Sequence, residues 1–142
     1  MGVAPDRTYR SPLHPVHAIL LAGTIPLFLG ALLSDIAYSQ SYEIQWKNFA
    51  SWLIPGGLLF GGFALLWAAI ELFRADRRGQ RPIAYFLVLL VAWVLGFINA
   101  FIHAKDAWAS MPAALILSVI VAMLAIAATC LGFLTMRAGG RR

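Results

Sequence analysis

Four stretches of this chain carry no Asp, Glu, Lys or Arg: Ser11–Ser34, Asn48–Ile70, Pro82–Ala104 and Ala107–Met136. Each exceeds the ~20 residues that an α-helix needs to cross a hydrocarbon layer ~30 Å thick. A water-soluble fold has nowhere to put them, because 61% of the 142 side chains are hydrophobic and 12% are charged, whereas a soluble domain has about a quarter charged. The runs are continuous rather than alternating, so they specify helices and not barrel strands. The sequence therefore predicts an all-α integral membrane four-helix bundle. Its spans lie near Val16–Tyr38, Trp52–Phe73, Ile83–His103 and Pro112–Met136 in a single transmembrane domain over residues 1–142, with short mobile tails.

Basic residues orient the bundle. Arg7 and Arg10 precede the first span, Arg74, Arg77, Arg78 and Arg81 lie between the second and third, and Arg137, Arg141 and Arg142 follow the fourth. Only Lys47 and Lys105 fall on the other side. Basic flanks stay cytoplasmic, which predicts an N-in/C-in, multi-pass protein of the bacterial cytoplasmic (inner) membrane. The first apolar run is longer than a signal-peptide core and ends at Asp35, so cleavage after Ala37-Tyr38-Ser39 is not expected. The connections are short: Ser39–Ser51, with Tyr42, Trp46 and Phe49, reads as a loop or interfacial segment, and Arg74–Arg81 and Ala104–Met111 read as turns. The net charge of +5 is not interleaved with aromatics as a nucleic-acid groove requires, so no nucleic-acid partner is expected. The single Cys130 excludes an internal disulfide.

Helical periodicity places the polar residues. His14, His17, Leu21, Thr24, Phe28, Ala31 and Asp35 share a stripe on the first helix, with Pro15 at the first helical position and His14 as a cap-like residue before it. Similar stripes are Gly57, Gly61, Ala64, Ala68 and Glu71 on the second helix, and Tyr85, Leu89, Gly96, Asn99 and His103 on the third. Ala114, Ser118, Ala122, Ala125, Thr129 and Gly132 form the fourth. Small residues let helices approach closely in lipid, so these stripes are the expected seams of the bundle. Because helix direction alternates, His14, His17 and Glu71 should meet at the cytoplasmic rim, and Asp35, Asn99 and His103 at the outer rim. The 18 residues from His17 to Asp35 are five helical turns, or ~27 Å.

Ionisable groups inside spans are functional candidates. His14, His17 and Glu71 offer imidazole and carboxylate to a divalent metal, although HxxH is a short pattern and structural roles come first: His14 as a cap, and Glu71 paired with Arg74 or a histidine. Asp35, Asn99 and His103 suit a proton-exchanging pair, a quinone or ligand pocket, or a hydrogen-bond clasp between the first and third helices. A b-type haem needs two axial ligands at one depth, which His14, His17 and His103 do not supply within one chain; a dimer pairing two copies of His17, or His103 with Met111, is the remaining route. No CxxCH is present for c-type attachment. The middle of the membrane holds mainly Thr24, Tyr85, Ser118 and Thr129, too sparse for a proton or ion relay. No nucleophile set, phosphate loop or paired catalytic carboxylates is visible, so no enzyme activity is expected.

His14-Pro15-Val16-His17 followed by an apolar helix ending in Asp35, together with Ile98-Asn99-Ala100-Phe101-Ile102-His103-Ala104-Lys105-Asp106-Ala107-Trp108, Pro112 and Ser118, resembles the domain-of-unknown-function 2231 family of bacterial membrane proteins. The resemblance covers Pro12 to Arg137 and implies a four-helix inner-membrane protein with an anchoring or redox role. Many members carry Gly-Gly-His in the third span, where this chain has Ala100-Phe101-Ile102-His103. The expected function is a non-enzymatic anchor or accessory subunit of a membrane assembly. The alternatives are a metal- or haem-binding electron-transfer protein using His14, His17, Glu71 or His103, and a transport accessory. Expected partners are the lipid bilayer and a membrane or periplasmic protein or a second copy of the chain. No cofactor is expected first, with haem b or a divalent metal as alternatives. Topology reporters fused to each terminus are expected to read cytoplasmic at both ends; a periplasmic signal at either end would overturn the orientation.

Overall fold

The structure is a computed structural model that describes residues 14–74, 80–105 and 107–138. The predicted tail segments before residue 14 and after 138, the centre of the basic turn (75–79) and Asp106 lie outside the described residues. Four long helices form, α1 (Pro15–Ser41), α2 (Ile44–Phe73), α3 (Gln80–His103) and α5 (Ala113–Ala138), with one short turn of helix, α4 (Ala107–Ser110), before the last. All four long helices are apolar and long enough to cross a membrane. Their sequences leave no alternative in lipid, because every peptide group there must be hydrogen-bonded within the chain.

Three spans match their predicted limits to within a turn. The second does not. Ser39–Ser51 is no loop: α1 continues to Ser41, α2 begins at Ile44, and only Tyr42 and Glu43 lie outside helix. The chain reverses at Tyr42, which takes the left-handed conformation (φ 57°) and returns its N–H to the Tyr38 carbonyl at 2.8 Å. The added turns of α2 persist because they do packing work that local polarity conceals. Ala50 is fully buried, and Lys47 Nζ donates to the carbonyls of His103 and Lys105, each at 2.9 Å. Lys47 thus satisfies carbonyls that the end of α3 leaves open and sets a cation at the negative end of its dipole.

The helices run up, down, up, down. α1 and α3 each pack along both α2 and α5, so α1 and α3 face one another across a diagonal of the bundle. The core between them has two apolar layers. One gathers Leu21, Ala64, Ala68, Tyr85, Leu89 and Ala128, the other Phe28, Ala31, Ala50, Ile54, Val121 and Ala125. The predicted seams are the buried faces: on α2, Gly57, Gly61, Ala64 and Ala68 are buried while Glu71 is half-buried. The large side chains on the opposite faces, such as Ile19, Leu33, Phe63, Leu66, Phe101 and Met123, are exposed.

Glycine is required where the Phe28 ring crosses the core. A Cβ on Gly57 would lie 2.7 and 2.8 Å from Phe28 Cε1 and Cζ, and one on Gly96 would lie 3.4 Å from the same atoms. The ring lies against both glycines, so a methyl at position 57 must displace it. Gly57→Ala is therefore expected to destabilise the bundle by about 1–3 kcal/mol through overpacking. Gly56→Ala is expected to be neutral, its methyl meeting only the Leu27 side chain, at 3.4 Å and beyond. Thermal unfolding of both variants in detergent micelles checks the contrast.

Candidate functional site

Asp35 lies six residues before the end of α1, and its side chain is fully buried. Both carboxylate oxygens are engaged. His103 Nε2 stands 2.8 Å from Oδ1, and the Ser118 hydroxyl donates to Oδ2. Asn99 Nδ2 donates in turn to Ser118 Oγ at 2.8 Å. His103 Nδ1 faces the Asn99 backbone carbonyl at 3.0 Å. A carbonyl only accepts, so Nδ1 carries hydrogen, and one proton is shared between Nε2 and Asp35 Oδ1. His103 is 4% exposed and Asn99 1%, so this is a desolvated network linking α1, α3 and α5. Asn99 Oδ1 has no partner among the described residues.

The other end carries a looser group. His17, 2% exposed, places Nε2 at 3.2 Å from the Tyr85 hydroxyl, again across the α1/α3 diagonal. Its Nδ1 has no partner among the described residues. Trp67 of α2 stands beside both histidines, with ring centroids 4.7 Å from His14 and 5.6 Å from His17. Its indole N–H donates to Glu71 Oε1 at 3.2 Å. His14 is exposed and its imidazole makes no cap hydrogen bond; its contribution to the start of α1 is the backbone carbonyl that accepts from Ala18 N–H at 3.3 Å.

The outer trio Asp35, Asn99 and His103 is thus brought together. His14, His17 and Glu71 share one end but do not converge: among the described residues no three His, Cys, Asp or Glu side chains gather in a way that could hold a metal ion. Tyr85 stands against His17, and Trp67 donates to Glu71. The histidines keep the depth mismatch that disfavours bis-His haem ligation, with His17 and His103 at opposite ends of the bundle.

Ser118 and Tyr85 belong to these clusters and not to the middle of the membrane, where sequence reasoning set them. Simple depth arithmetic identifies both. Ser118 is five residues into α5, at the end where α1 stops, and Tyr85 is five residues into α3, where α1 starts. Trp67 had no such signal, because an indole in an apolar helix is ordinary core material. The true mid-bundle hydroxyls bond to helix carbonyls, Thr24 Oγ1 to Leu21 at 2.7 Å and Thr129 Oγ1 to Ala125 at 2.8 Å.

Four apolar spans pinned at both ends by polar side chains define a helical-bundle membrane protein with its polar groups turned inward. The family model described as predicted membrane protein DUF2231 matches residues 13–139, and the chain belongs to that family. No curated protein and no solved structure matches the chain.

Removing one partner from a buried hydrogen-bonded pair strands the other without solvent, at about 1–3 kcal/mol. Asp35→Leu and His103→Leu are each expected to destabilise the protein by that order, and the double variant by clearly less than their sum. Equilibrium unfolding in mixed micelles, read as a double-mutant cycle, measures the coupling; strict additivity would dissolve the pair.

Proposed function

We propose that this protein is a non-enzymatic component of the bacterial inner membrane, a four-span anchor or accessory subunit of a larger assembly, oriented with both termini in the cytoplasm. The observation that carries the proposal is the use made of the buried polar groups. Asp35, Ser118, Asn99 and His103 are bonded to one another across three helices, and their geometry is that of a clasp. Ser118 bonds to the carboxylate rather than to the imidazole, so His103 is not placed to take its proton as the base of a nucleophilic set must. The threonines between the two ends donate to backbone carbonyls, which supports a static interior over a transport path.

The bundle also presents broad apolar helix faces outward. Such faces serve lipid and partner helices alike. Affinity purification of the tagged chain from native membranes in mild detergent is expected to retain a partner protein in fixed stoichiometry. Recovery of a monodisperse chain alone, from membranes that were never exposed to harsh detergent, would reject the anchor reading. An optical spectrum and metal analysis of the same material tests the electron-transfer alternative: a Soret band or a stoichiometric metal would favour it.

A further inference from the structure

Hydroxyls in the long helices donate to carbonyls three or four residues back in their own helix. Thr24 does so to Leu21, Ser34 to Gly30, Ser51 to Lys47 and Thr129 to Ala125. Ser118 departs from that habit. It is buried, and its hydroxyl donates across the bundle to Asp35 Oδ2. The carbonyl that a helical serine takes by default is that of the residue four places earlier, here Ala114 of α5. A hydroxyl oxygen also accepts through two lone pairs. The Asn99 amide uses one of them on Ser118 Oγ, at 2.8 Å, which leaves the other for an Asp35 that brings a hydrogen of its own.

We propose that Asp35 and Ser118 form a buried seat for one further proton, at the end of the bundle where α1 stops. One proton is already shared between His103 Nε2 and Asp35 Oδ1, so Oδ2 is the oxygen that takes another. On uptake from acidified solvent a new O–H bond forms at Oδ2 and donates to Ser118 Oγ. The Ser118 hydroxyl keeps its hydrogen and swings it to the Ala114 carbonyl. Asn99 still donates to Ser118, and His103 Nδ1 still faces the Asn99 carbonyl. The heavy atoms keep their places while the clasp gains one positive charge. Around it, Tyr38 is buried one turn past Asp35 on α1, Lys47 of α2 holds the His103 carbonyl, and Glu43 and Lys105 are exposed at the same end. Asp106 lies outside the described residues, and α5 brings no charge to that end among those described. The lysines oppose a further positive charge, whereas the negative end of the α3 dipole, where His103 lies, favours it. The seat does not depend on the anchor reading or on which way the chain crosses the membrane.

The test is pH-difference infrared spectroscopy of the full chain in lipid bilayers, isotope-labelled at the aspartate side-chain carboxyl. Asp6→Asn, Asp76→Asn and Asp106→Asn leave Asp35 as the one aspartate, so its signal is assigned without altering the clasp. A step from about pH 8 to about pH 4 brackets carboxylate and imidazole titration. One isotope-shifted carboxylic-acid C=O band of single-proton amplitude is expected to appear, and to vanish when the step is reversed. Ser118→Ala is expected to move that band to another frequency, because the acid O–H loses its acceptor, and Ser118→Thr, which keeps a hydroxyl, to restore it. Thermal midpoints verify that each chain remains folded at both ends of the step. Absence of the band, or imidazolium formation at His103 in its place, would overturn the proposal. So would a band whose frequency is unchanged in Ser118→Ala, since the proton would then sit away from Ser118.

Discussion

A carboxylate enclosed in a lipid-embedded bundle has no water to turn to, and must find every donor inside the protein. Asp35 does so by drawing His103 from α3 and Ser118 from α5, and Ser118 in turn holds Asn99. The arrangement of that end of the molecule follows from this one requirement. α3 must bring His103 to the depth of Asp35, α5 must begin early enough to place Ser118 level with both, and α2 must start before the membrane so that Lys47 can close the end of α3.

The opposite end repeats the scheme with weaker chemistry. His17 and Tyr85 are 68 positions apart, as are Asp35 and His103, and both pairs join α1 to α3. Two parallel helices on a diagonal are therefore tied at points five turns apart, or ~27 Å, close to the thickness of the hydrocarbon layer. Between the ties, packing replaces polarity. No hydrophobic effect pulls helices together in lipid, so the gain comes from close approach, which the Phe28 ring between Gly57 and Gly96 illustrates. The device is economical because a few directional bonds set the register and small residues fill the rest.

Much of this was legible beforehand because helical spacing and the hydrocarbon thickness act on the chain locally. The stripes through Leu21, Ala64, Leu89 and Ala125 are the buried faces, and the Asp35–Asn99–His103 group forms at the expected end. Misreadings arose where a residue's partner sat on another helix. Ile44–Ser51 looks polar and aromatic enough for a loop, yet it is helix because Ala50 and Lys47 find their contacts on neighbouring elements. Ser118 and Tyr85 looked like mid-membrane hydroxyls, yet they meet Asp35 and His17 of α1 at the two ends of the bundle.

The order of residues by itself determined that this chain lives in a membrane, that it crosses four times, which stripe of each helix turns inward and at which end each ionisable group lies. All of these depend on transfer of side chains between water and hydrocarbon and on 3.6 residues per turn, which need no knowledge of neighbours. Tertiary structure alone decided which polar groups hold one another, because a hydrogen bond acts over about 3 Å and is chosen by the relative depth and rotation of separate helices. That choice joined Ser118 to Asp35 and turned His17 to Tyr85.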